Sequence, residues 1–221
     1  WDLPSGKLRQ VIADEGDTRV SAVALSRDGS RLAMSSPNAP ATVWDIATST
    51  RVKSFPEKQK GLPAFSPDGK VLAFAGTRTV TLWDIESGRK LAQDTHREIV
   101  QALAFSPDGK TLVSSSTGVI KLWNMAPPDE STIVANAPDP KSLRFDPSGQ
   151  QLFIGSTGRT KVVDVVAGRE TAVLPASRVL AISDDCNVLA GTSGTDALAV
   201  YSLDGSETAR FPLPVAHDYH A

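Results

Sequence analysis

The sequence restates one phrase about every 40 residues, and that period limits the available folds more than any other feature. "FSPDGKVLAFAGTRTVTLWDI" begins at Phe65, and "FSPDGKTLVSSSTGVIKLWNM" begins at Phe105. The residue before each Ser-Pro-Asp-Gly-like turn falls at Leu25, Phe65, Phe105, Phe145 and Ile182, in steps of 40, 40, 40 and 37. A second landmark is Trp-Asp or its degenerate form. It falls at Trp1-Asp2, Trp44-Asp45, Trp83-Asp84, Trp123-Asn124, Val163-Asp164 and Tyr201-Ser202. Two independent landmarks hold one period, so the repeat is the folding unit.

Each unit reads as four short strands. The first alternates with period two, as in Val23/Leu25, Leu103/Phe105, Leu143/Phe145 and Leu180/Ile182, which puts the apolar groups on one face. A turn follows, Ser66-Pro67-Asp68-Gly69 or Ser106-Pro107-Asp108-Gly109. Proline presets φ at the second position, Asp bonds nearby backbone, and Gly accepts the left-handed conformation that closes the hairpin. Second strands are expected at 31–35, 71–75, 111–115, 151–155 and 188–192. Third strands end at the Trp-Asp landmark. After a turn such as Ser87-Gly88 comes a more polar fourth strand, as at Arg89–Gln93 or Arg169–Leu174. No stretch has the period of an amphipathic helix.

A four-stranded sheet of about 40 residues cannot bury both of its faces alone. Packing such sheets face to face around an axis solves this and gives an all-β fold, a β-propeller of four-stranded antiparallel blades. Pro63 fits if its strand is innermost, with one edge unpaired. Five complete blades are expected at 19–55, 61–93, 99–135, 140–174 and 178–212. Trp1–Ile12 reads as the end of a third strand and a fourth strand, a partial N-terminal blade. That bookkeeping predicts a fragment of a six- to eight-bladed ring, with missing blades or domains of the same protein as its first partners.

The recurrent turn, the period and the terminal Trp-Asp together resemble the WD-repeat β-propeller family, over residues 1–214, with 215–221 as a tail. The resemblance implies structural roles for Trp44, Asp45, Trp83, Asp84 and Trp123, and for Asp68, Gly69, Asp108 and Gly109 in the turns. It also implies a hydrogen-bonded tetrad of His, Ser, Trp and a turn Asp within each blade. Only His96 precedes a first strand, and the turn in "SSSTGVIKLW" has no Asp. The tetrad is therefore expected to be largely absent, leaving the blades to apolar packing and strand pairing.

The chemical inventory is thin. Asp68 and Asp108 recur because turns need them and lie on separate blades, too dispersed for paired-carboxylate catalysis. The three histidines are His96, His217 and His220. The last two, in the terminal "HDYH", have no further ligands nearby in sequence, so no metal is expected. Cys186 is the single cysteine, which precludes an intrachain disulfide and leaves the compartment open. Its acidic neighbours Asp184 and Asp185 do not activate a thiol. "GTSGTD" lacks the Lys and helix of a phosphate loop, and no cofactor is expected. A net charge of −2 with dispersed basic residues excludes a sequence-wide nucleic-acid footprint. No apolar run reaches the roughly 20 residues of a membrane-spanning helix, and no membrane partner is expected.

What remains is surface. In WD-repeat propellers the loops before the first strand and between the second and third strands share one face. Carried onto this chain, that face holds Glu57, Lys58, Arg78, His96, Arg97, Asn136, Arg159, Arg178 and Asp196. Guanidinium offers planar multidentate bonding and an apolar stacking face, which suits protein interfaces. The expected function is a non-catalytic scaffold presenting these loops to a protein or peptide. Arg78, Arg97, Arg159, Arg178, Lys58 and His96 are its partner-binding candidates. The alternative is a small-molecule sensor or enzyme using the central channel. Such a site needs His, acids or metal ligands on the innermost strands, which are mainly apolar apart from Arg144 and Arg178.

Overall fold

The computed structural model of the chain describes residues 7–8, 11–12, 19–58, 61–125, 130–135, 139–175, 178–183, 188–193, 197–202 and 206–212. Among these residues there is no helix, and the strands form five antiparallel four-stranded sheets, each ordered as in the chain. Blade 1 comprises β1 (Ala22–Leu25), β2 (Arg31–Ser35), β3 (Pro40–Asp45) and β4 (Thr50–Lys58). Blade 2 comprises β5 (Pro63–Phe65), β6 (Val71–Ala75), β7 (Thr79–Asp84) and β8 (Lys90–Thr95). In blade 3 the strands are β9 (Val100–Phe105), β10 (Thr111–Ser116), β11 (Val119–Asn124) and β12 (Glu130–Ala135). Blade 4 holds β13 (Pro140–Phe145), β14 (Gln151–Ser156), β15 (Arg159–Asp164) and β16 (Arg169–Leu174). Blade 5 holds β17 (Arg178–Ile182), β18 (Val188–Ser193), β19 (Ala197–Ser202) and β20 (Glu207–Pro212). These are the five units the period predicts. The expected partial blade at Trp1–Ile12 lies largely outside the described residues, as do Cys186 and the tail at 215–221.

The first turns of blades 1 to 4 are each tied by a small set of hydrogen bonds. Gly69 N–H closes onto Ser66 O at 2.9 Å with φ of +68°, where a side chain would be strained. The Ser66 hydroxyl donates to Asp68 Oδ1 at 2.6 Å and accepts from Val71 N–H at 2.9 Å. Asp68 also accepts from Lys70 N–H at 3.1 Å. Ser106 and Asp108 repeat this pattern, and Ser26 and Asp28 repeat it in blade 1. Blade 4 reads Asp-Pro-Ser-Gly and exchanges the two roles. There the Ser148 hydroxyl donates to the Asp146 carboxylate, which also accepts Gln151 N–H at 2.8 Å. A carboxylate and a hydroxyl at these two positions suffice in either order.

The Asp of Trp-Asp closes the second turn. Asp45 accepts from Thr48 N–H at 2.8 Å, and Asp84 accepts from Ser87 N–H at 2.7 Å. Both turns lie at the same end of a blade. Ile46 N–H bonds Ser30 O, and Ile85 N–H bonds Lys70 O, each at 2.9 Å. The opposite end carries the other two loop types. In blade 2, His96 N–H donates to Arg78 O at 2.7 Å, and Val100 N–H reaches Thr77 O at 3.1 Å.

Apolar packing joins the blades. Blades 2, 3 and 4 bury both faces, so their strands alternate between two neighbouring blades rather than between core and water. Ala33, Ala41, Val43 and Phe55 of blade 1 meet Leu72, Phe74, Trp83 and Ile85 of blade 2. The other face of blade 2, with Ala73, Val80 and Leu82, meets Leu112 and Trp123 of blade 3. Val113, Ile120 and Leu122 then meet Leu143, Leu152, Ile154 and Val163 of blade 4. Phe153, Val162 and Leu174 meet Leu189 and Tyr201 of blade 5. The innermost strands β1, β5, β9, β13 and β17 thereby lie side by side in order. Pro63 sits on such an innermost strand, opposite Phe74, where its missing N–H costs no ladder bond on the open edge.

Candidate partner-binding surface

The loop-bearing face brings part of the expected arginine set together. Arg78 occupies the β6–β7 turn and Arg97 the β8–β9 connection, and the backbone bond from His96 N–H to Arg78 O ties these two loops. Arg159 is the first residue of β15, at the matching end of blade 4. Arg178 opens β17, and Lys58 closes β4. The candidates come from the two expected loop types, before a first strand and between a second and a third. The side chains of Glu57, Lys58 and Arg178, and all of Asn136 and Asp196, lie outside the described residues.

Arg78, Arg97 and Arg159 are exposed, and among the described residues none of the three forms an ion pair. The acids around them are already engaged. Asp94 is bound by Lys121 Nζ at 2.5 Å, and the same ammonium donates to Thr95 O at 2.8 Å. Asp139 is held by Lys141 at 2.9 Å, with Gln101 Nε2 at 3.4 Å and Thr157 Oγ1 at 3.3 Å. Those donors, Lys141 foremost, hold the Asp139 carboxyl below its ordinary range. Exposed Glu98 follows Arg97 without capturing it.

His96 behaves differently from its fellow candidates. Its ring is buried at 5% exposure, turned into blade 3 and away from any partner. Nδ1 lies 2.9 Å from Ser116 Oγ and Nε2 lies 2.9 Å from Ser114 Oγ, while Trp123 Nε1 donates to Ser114 Oγ at 2.9 Å. The order that uses every donor runs from the Trp123 N–H to Ser114, from the Ser114 hydroxyl to Nε2, and from Nδ1–H to Ser116. Burial, with the Lys121 ammonium second, pushes the His96 pKa down, and Asp94 opposes this weakly.

Blade 3 comes closer to the tetrad than its missing turn Asp suggests, and the set is still incomplete. Three of its four members form around Trp123, and Ser116 replaces the turn Asp. The other tryptophans solve the problem separately. Trp44 Nε1 donates to Thr42 Oγ1 at 2.9 Å. Trp83 Nε1 is buried with no partner among the described residues, because Phe74 stands where Trp123 finds Ser114. Its ring instead meets Phe55 at 5.4 Å and Lys90 Nζ at 5.3 Å. The run Ser114-Ser115-Ser116 carried the signal. A buried second strand with three hydroxyls, where blades 2 and 4 have Phe74-Ala75 and Ile154-Gly155, needs polar partners.

Five four-stranded antiparallel sheets, each built from one repeat of the sequence, define a class, the all-β repeat protein with propeller-type blades. Residues 89–124 match the family model of the WD domain, G-beta repeat, and the chain carries the WD repeat in a blade architecture. The matched stretch is offset from the blade. It begins with the outermost strand of blade 2 and ends with the third strand of blade 3. Among curated proteins, nothing matches this chain. WD repeats are in general scaffolds for protein interaction, typically without catalysis.

Proposed function

We propose that this chain is a non-catalytic scaffold that holds a protein or peptide partner on the face carrying Arg78, Arg97 and Arg159. The carrying observation is the division of charge on that face. The neighbouring acids Asp94 and Asp139 are satisfied by lysines of the same chain, which leaves the guanidiniums for an external carboxylate. Arg178 joins them by its place at the start of β17. His96 supports the fold of blade 3 and takes no direct part, since both ring nitrogens are engaged.

The test uses the intact protein, with a photoreactive group at position 97 to capture a partner. Affinity is then measured for Arg78→Ala, Arg97→Ala, Arg159→Ala and Arg178→Ala beside thermal stability. A guanidinium buried by the partner contributes about 2 kcal/mol or more. One at the rim contributes about 0–1 kcal/mol. If all four changes leave affinity untouched while changes in the Ser-Pro-Asp-Gly turns abolish it, the face is wrong.

A further inference from the structure

The segment that leads into β9 is a strap across the junction of blades 2 and 3. His96 N–H donates to Arg78 O at 2.7 Å, and Val100 N–H donates to Thr77 O at 3.1 Å, so both ends of the strap are tied to the β6–β7 turn. Arg97 stands between the two ties and Arg78 stands on the turn they hold, and both are exposed. The strap is anchored by a buried ring. His96 Nε2 lies against Ser114 Oγ and Nδ1 against Ser116 Oγ, each at 2.9 Å. His96 thus carries both halves of the device. Its backbone holds the turn of blade 2, and its ring holds the second strand of blade 3.

The seat of that ring suits a neutral imidazole and not an imidazolium. In the neutral form the Ser114 hydroxyl accepts the Trp123 N–H and gives its own proton to Nε2. A solvent proton on Nε2 meets an oxygen that already accepts the indole, and it takes away the acceptor of the Ser114 hydroxyl. A buried charge also needs a counter-charge or water. The charged groups described around the ring do not supply one. Lys121, from β11, is of the same sign. Asp94, from β8, favours the charged ring and is already bound to that ammonium. From β9 and β10 come Val100, Ser114 and Ser116, which carry no charge. Arg78, Arg97 and Glu98, on the strap and its turn, are exposed.

We infer that the strap is a pH-sensitive switch on the loop-bearing face: protonation of His96 drives its ring from between the two serines, the strap releases the β6–β7 turn, and Arg78 and Arg97 lose their fixed spacing. Burial and the Lys121 ammonium push the His96 pKa down, which puts the switch on the acid side of 6.5. A ligand that needs the closed strap binds the neutral form. Its affinity therefore falls by up to about tenfold for each unit of pH below the switch. That consequence rests on the partner-binding face proposed above, whereas the opening of the strap does not.

The test needs no partner. NMR of the intact protein follows the His96 ring Cε1–H and the amide hydrogen exchange of the strap from neutral pH to about pH 4. Exchange is expressed as protection relative to an unstructured chain, which removes the intrinsic effect of pH. Protection at the His96 and Val100 amides should fall by about tenfold or more, with the same midpoint as the ring signal. Val165 N–H, bonded to Gln150 O in blade 4, should keep its protection. His96→Gln offers a donor and an acceptor without titrating, and should keep both strap amides protected throughout. If that variant does not fold, the coincidence of the two wild-type midpoints decides. Unchanged protection in acid overturns the inference. So does a midpoint that differs from that of the ring, a loss that persists in His96→Gln, or an equal loss at Val165. Unchanged affinity in the arginine variants above would remove the partner-binding face and leave the switch standing.

Discussion

Trp123 donates its indole N–H to the Ser114 hydroxyl across 2.9 Å, and that hydroxyl lies 2.9 Å from His96 Nε2. One buried serine thus satisfies two rings. Ser114→Ala removes both partners while leaving the packing nearly unchanged, so two polar atoms remain buried without bonds. The expected loss of stability is about 2–4 kcal/mol. Urea unfolding should show a lower midpoint with an unchanged slope. A midpoint equal to wild type would mean that water replaces the hydroxyl without cost.

The same network predicts a pH dependence. The folded pKa of His96 lies below its ordinary value of 6.5, chiefly through burial. Between the folded value and 6.5 the unfolded chain binds more protons than the folded one, so stability rises with pH across that window. The contribution of His96 is complete above about 6.5 and is lost as pH falls through the folded value. Carboxylates titrate in part of the same range, so the measurement compares wild type with His96→Gln. The variant should lose the slope belonging to this window and no other.

Ser49 has φ of +58°, whereas Gly88 and Gly168 fill the same turn position in blades 2 and 4 with φ of +72° and +62°. A side chain in the left-handed region costs about 1–2 kcal/mol. The extra freedom of glycine in the unfolded chain offsets about 0.4–1 kcal/mol of the relief. Ser49→Gly should therefore raise stability by about 0.5–1 kcal/mol. Calorimetry would show a melting temperature higher by about 1–4 °C for a chain of this size. A decrease would show that the polar contacts of Ser49 outweigh its strain.

Blade 4 permits a direct test of role exchange in the turn. Asp146→Ser alone leaves two hydroxyls and no carboxylate to receive Gln151 N–H and the Ser148 hydroxyl. It should cost about 1 kcal/mol. Adding Ser148→Asp rebuilds the Ser-Pro-Asp-Gly arrangement of blades 2 and 3 and should recover most of that loss. The double-mutant cycle reads the coupling. Additive losses would mean that the order of the two groups is set by something outside the turn.

The same turns should keep their carboxylates ionised well into acid. The Ser26 hydroxyl and the Ser30 backbone lower Asp28 to about 2, and Ser66 and Ser106 lower Asp68 and Asp108 in the same direction. Carboxyl carbon titrations by NMR should place Asp28 below an ordinary aspartate. Replacing Ser26 by Ala should move it upward.

The period, the turns and the strand alternation are local facts, which is why the sequence by itself determined five four-stranded units and their boundaries to within about three residues. Glycine in a turn, proline on an open edge and alternating apolar residues act within one unit and can be read there. Pairing between side chains of different strands cannot. The Ser114 hydroxyl serves Trp123 and His96 only because register places Leu112 opposite Trp123 and so brings the next inward residue beneath the indole. His96 stands in an inter-blade loop where the sequence also allows a hydrogen-bonding role inside a blade, and only the fold shows which groups it meets, Ser114 and Ser116. Arg27 and Arg144 lie 117 positions apart and share one cavity only because five blades turn the ends of their first strands toward a common axis. Tertiary structure also decided which acids are engaged, since Asp94 and Asp139 meet their lysines through strand and loop neighbours rather than chain neighbours alone. Local chemistry fixed the repeat, and packing between repeats made the surfaces.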